Sequence, residues 1–156
     1  MRCQVDIQES DFDIASLQAW LLSGSAGEGA IATFTGYVRV DKGSANFQCM
    51  ELEHYPGMTQ DSIGAIVNKA AERWPIITAR VVHRVGRLYP GDQIVWVGVS
   101  SAHRGAAFSA CEYIMDYLKA EAPLWKKEYS AEGECWVDAK ESDSKRADRW
   151  AGDSTD

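Results

Sequence analysis

Three short stretches of the chain combine residue types able to hold an anion and move protons. In SSAHR at 100–104 an apolar run ends, serines follow, and His103 and Arg104 stand where a helix is expected to begin. A helix start offers unpaired backbone N–H groups and the positive end of its dipole, both suited to phosphate or carboxylate, and a guanidinium adds a bidentate clamp. A cation there opposes the dipole, so the placement costs something locally and points towards use. The plain alternative is that both are ordinary surface residues. The second stretch is Lys119 with Lys126, Lys127 and Glu128 just beyond Pro123. On one helix Arg104 and Lys119, 119 − 104 = 15 residues apart, sit about 60° apart around the axis and roughly 22 Å apart along it. A single small pocket touching both needs an extended ligand or a chain that turns back, and Pro123 permits the turn, bringing Lys126 near Lys119. Neighbouring ammonium groups depress each other's pKa, and partial burial adds to this, giving a lysine able to exchange a proton near neutral pH. Two solvated surface lysines are the commoner fate of such a pair. The third stretch, FTGYVR at 34–39, places Gly36 inside a strand-like run with Arg39 at its end, which marks a close approach or a bulge.

The elements that must position these residues follow from periodicity. Cys3, Val5 and Ile7 alternate like a strand, and Asp11 or Asp13 can cap a helix carrying Ile14, Leu17, Leu21 and Leu22. Residues 30–40 and 47–55 are rich in strand formers, with a polar turn cluster at 41–46 expected to be a mobile loop. Ile63, Ile66, Val67, Ala70 and Trp74 recur at helical spacing up to Pro75. Residues 76–85 alternate, Pro90-Gly91-Asp92 is a turn, and IVWVGV at 94–99 has the length of a buried strand. Phe108, Cys111, Met115, Leu118 and Ala122 trace a core-facing stripe along a long helix at about 102–122, with Ser100 or Ser101 placed to cap it. WKKEY at 125–129 and ECWVD at 134–138 form a closing hairpin. Strands and helices mix without a strict βαβ rhythm, which predicts an α+β fold with a largely antiparallel sheet. The absence of repeats and linkers predicts one domain over 1–150 and a short polar tail at 151–156.

Charge and cysteine usage exclude other classes. Sixteen basic against 23 acidic side chains give 16 − 23 = −7, which disfavours a general nucleic-acid or anionic-membrane binder. The balance is uneven: residues 39–131 carry 11 − 10 = +1, so acidic ends flank a near-neutral middle that holds Arg39, Arg104, Lys119, Lys126 and Lys127. The acidic start, MRCQVDIQESDFD, is unlike a secretory signal or a transit peptide, and no run approaches the roughly 18 apolar residues of a membrane span. Cys3, Cys49, Cys111 and Cys135 stand far apart, and His54, His83 and His103 lack zinc-type spacing. A reduced cytoplasmic protein without structural metal is expected, its cysteines acting as small buried hydrophobes and His54 and His83 as satisfied structural histidines. Gly86, Gly91 and Gly98 form no dinucleotide or P-loop pattern.

FTGYVR at 34–39, LEHYPGMT at 52–59, HRVGRLYPGD at 83–92, SSAHR at 100–104 and MDYLKAEAPLWKKE at 115–128, in this order, closely resemble the catalytic (large) subunit family of molybdopterin synthase. The resemblance runs from about Gly29 to Trp150 and is weak over residues 1–28, the 40–47 loop and the tail. It implies an α/β hammerhead-type fold and a homodimer, each subunit of which binds a small ubiquitin-like sulfur-carrier subunit to give a heterotetramer. It further implies a sulfurtransferase: the carrier's C-terminal Gly-Gly thiocarboxylate enters the pocket and gives sulfur to cyclic pyranopterin monophosphate, two transfers making the dithiolene of molybdopterin for molybdenum cofactor biosynthesis. No cofactor is implied for this step. Carried over by the matching motifs, substrate contacts fall on Tyr37, Val38, Arg39, His103, Arg104, Lys119, Lys126, Lys127 and Glu128, with Lys119 and Lys126 catalytic. Arg39, His103 and Arg104 suit phosphate, and the two lysines suit proton transfer and stabilisation of oxyanion and thiolate charge. Two rivals stand beside it: a non-catalytic docking module for a ubiquitin-like tail, and a phosphate-ester hydrolase using His103.

Overall fold

The computed structural model describes residues 1–22, 24–40, 46–137 and 141–151. In chain order the elements are β1 (Arg2–Gln8), α1 (Ile14–Leu21), β2 (Ala30–Tyr37), β3 (Phe47–His54), α2 (Met58–Arg73), β4 (Ile76–Arg84), β5 (Gly86–Leu88), β6 (Gln93–Ser101), α3 (Arg104–Glu121), β7 (Leu124–Ser130), β8 (Gly133–Val137) and α4 (Glu141–Asp148). They form two four-stranded sheets, β1-β4-β6-β2 and β5-β3-β7-β8. All pairings are antiparallel except β1 with β4, so the predicted α+β, largely antiparallel class is what the chain adopts.

The first sheet is a middle layer. On one face α2 and α3 bury Ile63, Val67, Ala70 and Ile114 against Val81, Val97 and Val99. On the other α1 covers Val82 and Trp96 with Leu17 and Leu21. Burial on both faces is why IVWVGV reads as continuous apolar sequence: in a sheet covered on one side it would alternate. Each fully buried side chain of this size contributes about 1.5–3 kcal/mol. The second sheet has a smaller core of Val38, Met50, Leu52, Val85 and Leu88.

Asp13, rather than Asp11, caps α1, its carboxylate accepting from the Ala15 N–H at 3.0 Å. The expected serine cap of α3 is not formed. Ser100 and Ser101 are still in β6 and fully buried, with Ser100 Oγ accepting from the Thr78 N–H and Ser101 Oγ donating to the Pro75 carbonyl. His103 takes the N-cap position in extended conformation without a side-chain cap bond. The strand expected at 30–40 stops at Tyr37, because the Val38 N–H and C=O pair instead with Asp92 O and Gly91 N of the turn before β6. The alternating stretch 76–85 breaks at Val85, and β5 crosses to the second sheet. Periodicity missed α4, in which Ala147 is the buried hydrophobic residue. Cys49 and Cys111 are buried, but Cys3 and Cys135 are exposed, so only two of the four behave as core. The polar cluster at 41–45 lies outside the described residues, as does the tail at 152–156.

Candidate active site

Segment 37–39, the end of α3 and the strand β7 converge on one cavity of about 330 Å³, lined among others by Tyr37, Arg39, His83, Lys119, Lys126 and Glu128. Each arrives there for a local reason. Gly36 lies where β2 shifts register against β6, and a Cβ on it would come within 2.7 Å of Val95 Cγ1, so both alternatives drawn from the sequence, bulge and close approach, apply. The bulge turns the chain so that Val38 is buried while Tyr37 and Arg39 stay exposed on either side. Lys119 occupies the last turn of α3, where a cation complements the negative end of the helix dipole. Beyond it Pro123 reverses the chain as expected. Thr59 fixes that corner, its fully buried hydroxyl donating to the Pro123 carbonyl and accepting from the Tyr55 N–H, each at 2.9 Å.

Strand alternation then divides the lysines. Leu124, Lys126 and Glu128 face the cavity, with Lys126 Nζ 3.3 Å from Glu128 Oε1. Trp125, Lys127 and Tyr129 point the other way: Lys127 sits 3.6 Å from Glu134 and over the Trp136 ring, and Tyr129 donates to Glu51. Lys127 is therefore outside the cavity, although the motif grouped it with Lys126. The same period of two, applied to WKKEY, carries this distinction.

His103 and Arg104 line neither of the molecule's two described cavities. They are exposed at the start of α3, a helix of 18 residues that ends at Lys119's turn. The structure thus unites Tyr37, Val38, Arg39, Lys119, Lys126 and Glu128 and leaves the other basic pair at the far end of the helix.

A further contributor, His83, opens the HRVGRLYPGD stretch, where a satisfied structural histidine is expected from the sequence. His83 is 4% exposed and lines the cavity. Burial, with the nearby charges of Lys119 and His54, pushes its pKa down to about 4. Its alternation within HRVGR was visible, but its neighbours across the sheets were not. A second cavity, of about 500 Å³, adjoins the first: Lys119 and Asp143 line both. Its wall is mainly apolar, with Phe34, Phe108, Cys111 and Met115, and the two phenylalanines are exposed. Burial pushes the Cys111 thiol up to about 12, so at neutral pH it is a hydrophobe and not a nucleophile. Among the described residues no group of three or more His, Cys, Asp or Glu is placed to hold a metal ion, and no helix is long and apolar enough to cross a membrane.

The mainly apolar cavity thus adjoins the cationic one at Lys119 and Asp143. Residues 7–121 match the family described as MoaE protein. The chain is 52% identical over 146 residues to the molybdopterin synthase catalytic subunit of Ralstonia nicotianae, covering 94% of this chain and 83% of that one. It is 51% identical to the subunit of the same name from Vibrio cholerae, covering 94% and 97%. Among solved structures, the molybdopterin biosynthesis MoaE protein from Burkholderia ambifaria superposes with a TM-score of 0.82 at 48% identity, covering 97% of this chain and 99% of that one. The molybdopterin synthase from Staphylococcus aureus gives 0.78 at 31% identity, covering 85% and 96%. With most of the chain matched in sequence and in fold, the protein belongs to the MoaE family of molybdopterin synthase catalytic subunits.

Proposed function

We propose that the two adjoining cavities divide a sulfur-transfer reaction between them, with Lys119 at the junction. The chain is a sulfurtransferase of molybdenum cofactor biosynthesis, and the observation that carries the assignment of its site is the sharing of Lys119 by a polar cavity and an apolar groove. The cationic cavity takes cyclic pyranopterin monophosphate, Arg39 and Lys126 facing its phosphate with Tyr37 and Val38 shaping the wall. The apolar groove admits the extended C-terminal tail of a small ubiquitin-like carrier, a chain without side chains at its Gly-Gly end. The tail's thiocarboxylate then lies beside Lys119. Its sulfur attacks a pterin side-chain carbon and displaces the oxygen substituent there, which leaves protonated, so that the carrier's acyl group is now held as a thioester; water adds to that carbonyl, the carrier departs as its carboxylate and the thiolate stays on the pterin. Lys119 stabilises the oxyanion and the departing thiolate, and Lys126, tempered by Glu128, supplies or takes the proton. Repetition at the adjacent carbon completes the dithiolene.

Within one chain His103 and Arg104 stand roughly 22 Å from Lys119 along the helix, too far for one small ligand. In our proposal they reach the pocket of the second copy in the homodimer, where an unpaired helix start and a guanidinium suit the phosphate. A single domain over 1–150 carries all of this, in the cytoplasm.

Lys119→Ala tests the assignment. With its fold checked by thermal melt and given thiocarboxylated carrier and cyclic pterin, it should lose at least about a hundredfold in kcat; near-normal molybdopterin formation overturns the role. Carrier binding by the wild type without pterin turnover would mark a docking module, and phosphate release without carrier a hydrolase.

A further inference from the structure

His83 is used by none of the steps above, yet it stands in the wall of the pterin cavity. Its Nδ1 lies 2.9 Å from the Arg84 carbonyl oxygen. A carbonyl can only accept, so in the neutral ring Nδ1 carries the proton and Nε2 is left with a lone pair. That lone pair has no hydrogen-bond partner among the described residues. The fully buried, unpartnered side-chain polar atom found among them is the Trp96 indole Nε1, so Nε2 is not sealed in packed core, and His83 is one of the residues that line the cavity. The charged groups near the ring are Lys119 and His54, both cationic or neutral and neither a carboxylate. The cavity's carboxylate on β7, Glu128, is engaged with Lys126.

We propose that His83 is a substrate-recognition residue whose Nε2 accepts a hydrogen bond from an N–H of the pterin ring, fixing which end of the ligand enters first. The proposal rests on the pterin assignment made above. A lone pair in the cavity wall repels phosphate oxygens and welcomes a donor, so it selects the ring end, whose amide and amino groups carry N–H bonds. Arg39 and Lys126 then face the phosphate. Burial, Lys119 on α3 and His54 on β3 all oppose a second proton, which keeps Nε2 an acceptor throughout the neutral range. The acceptor contact forms on binding and persists through sulfur transfer, so its loss belongs in KM and not in kcat.

The test compares His83→Phe, which fills the space without an acceptor, with His83→Gln, which restores one. Phe should raise the KM for cyclic pterin about tenfold with kcat within about threefold, and Gln should recover most of the loss. An unchanged KM in the folded Phe variant overturns the proposal. Should Phe fail to fold, ¹⁵N spectra of the wild type decide: the lone-pair nitrogen of His83 must shift on addition of cyclic pterin without carrier, and an unmoved resonance overturns the proposal. Absence of turnover by the wild type overturns the sulfur-transfer reading instead, and the same titration still decides His83.

Discussion

Lys126 and Lys127 are neighbours in sequence and opposites in the fold. Alternation along β7 sends one into the cavity beside Glu128 and the other to Glu134 and the Trp136 ring. Lys126→Ala should therefore lower kcat/KM by about a hundredfold or more, the usual scale for a lost proton-transfer group, while Lys127→Ala changes it less than about threefold. Equal losses in steady-state assays would refute the division. His83 makes a second prediction, on stability. Its folded pKa of about 4 lies below the ordinary histidine value of 6.5, so between these pH values the unfolded chain binds the extra proton. Stability contributed by the neutral ring is then fully present above about pH 6.5 and is lost as pH falls towards 4, on the order of 3 kcal/mol in all. Denaturant titrations across that window should show the fall in the wild type and a shallower one in His83→Gln.

At the scale of elements, the site depends on how α3 is held. Asp116, buried on its inner face, accepts from Arg146 at 3.1 Å, Arg149 at 2.9 Å and the Trp150 indole at 2.8 Å. This joins α4 and the segment after it to α3, and Asp143 of α4 borders both cavities. The arginines are largely exposed and their ion pairs alone contribute little. The part-buried indole and the buried carboxylate matter more, since a polar group left unpaired in a buried setting costs about 1–3 kcal/mol. Asp116→Ala should lower the melting midpoint by about 3–10 °C, measured by calorimetry, and a midpoint unchanged within about 1 °C would show that the clamp is ornamental. α4 itself was invisible to periodicity because ESDSKRAD carries no apolar stripe; it is held by its charges and by the Trp150 anchor beyond its end. β5 escaped for the opposite reason: three residues are too few for any period to register.

For the whole molecule, the separation of His103 and Arg104 from Lys119 sets the decisive test. If each pocket takes the basic pair from the second copy, Arg104→Ala and Lys119→Ala dimers are each inactive. Mixed and allowed to exchange, half of the dimers become hybrids with one intact site of two, so activity returns to about a quarter of wild type. No recovery, with exchange confirmed by native mass spectrometry, would place both groups in one site by some other route. What the chain determined by itself was local: strands and helices where apolar residues recur at two or 3.6, the Pro123 reversal, the register break at Gly36, and the residue types fit for an anion and a proton. These depend on neighbours in sequence, and so they are legible there. The tertiary structure alone decided that β1 runs parallel to β4, that His83 faces Lys119, that an apolar groove meets the cationic cavity at that lysine, and that His103 and Arg104 lie apart from it. Each of these joins residues distant along the chain, and such contacts are fixed by how layers pack to bury both faces of the central sheet, a property that no single segment encodes.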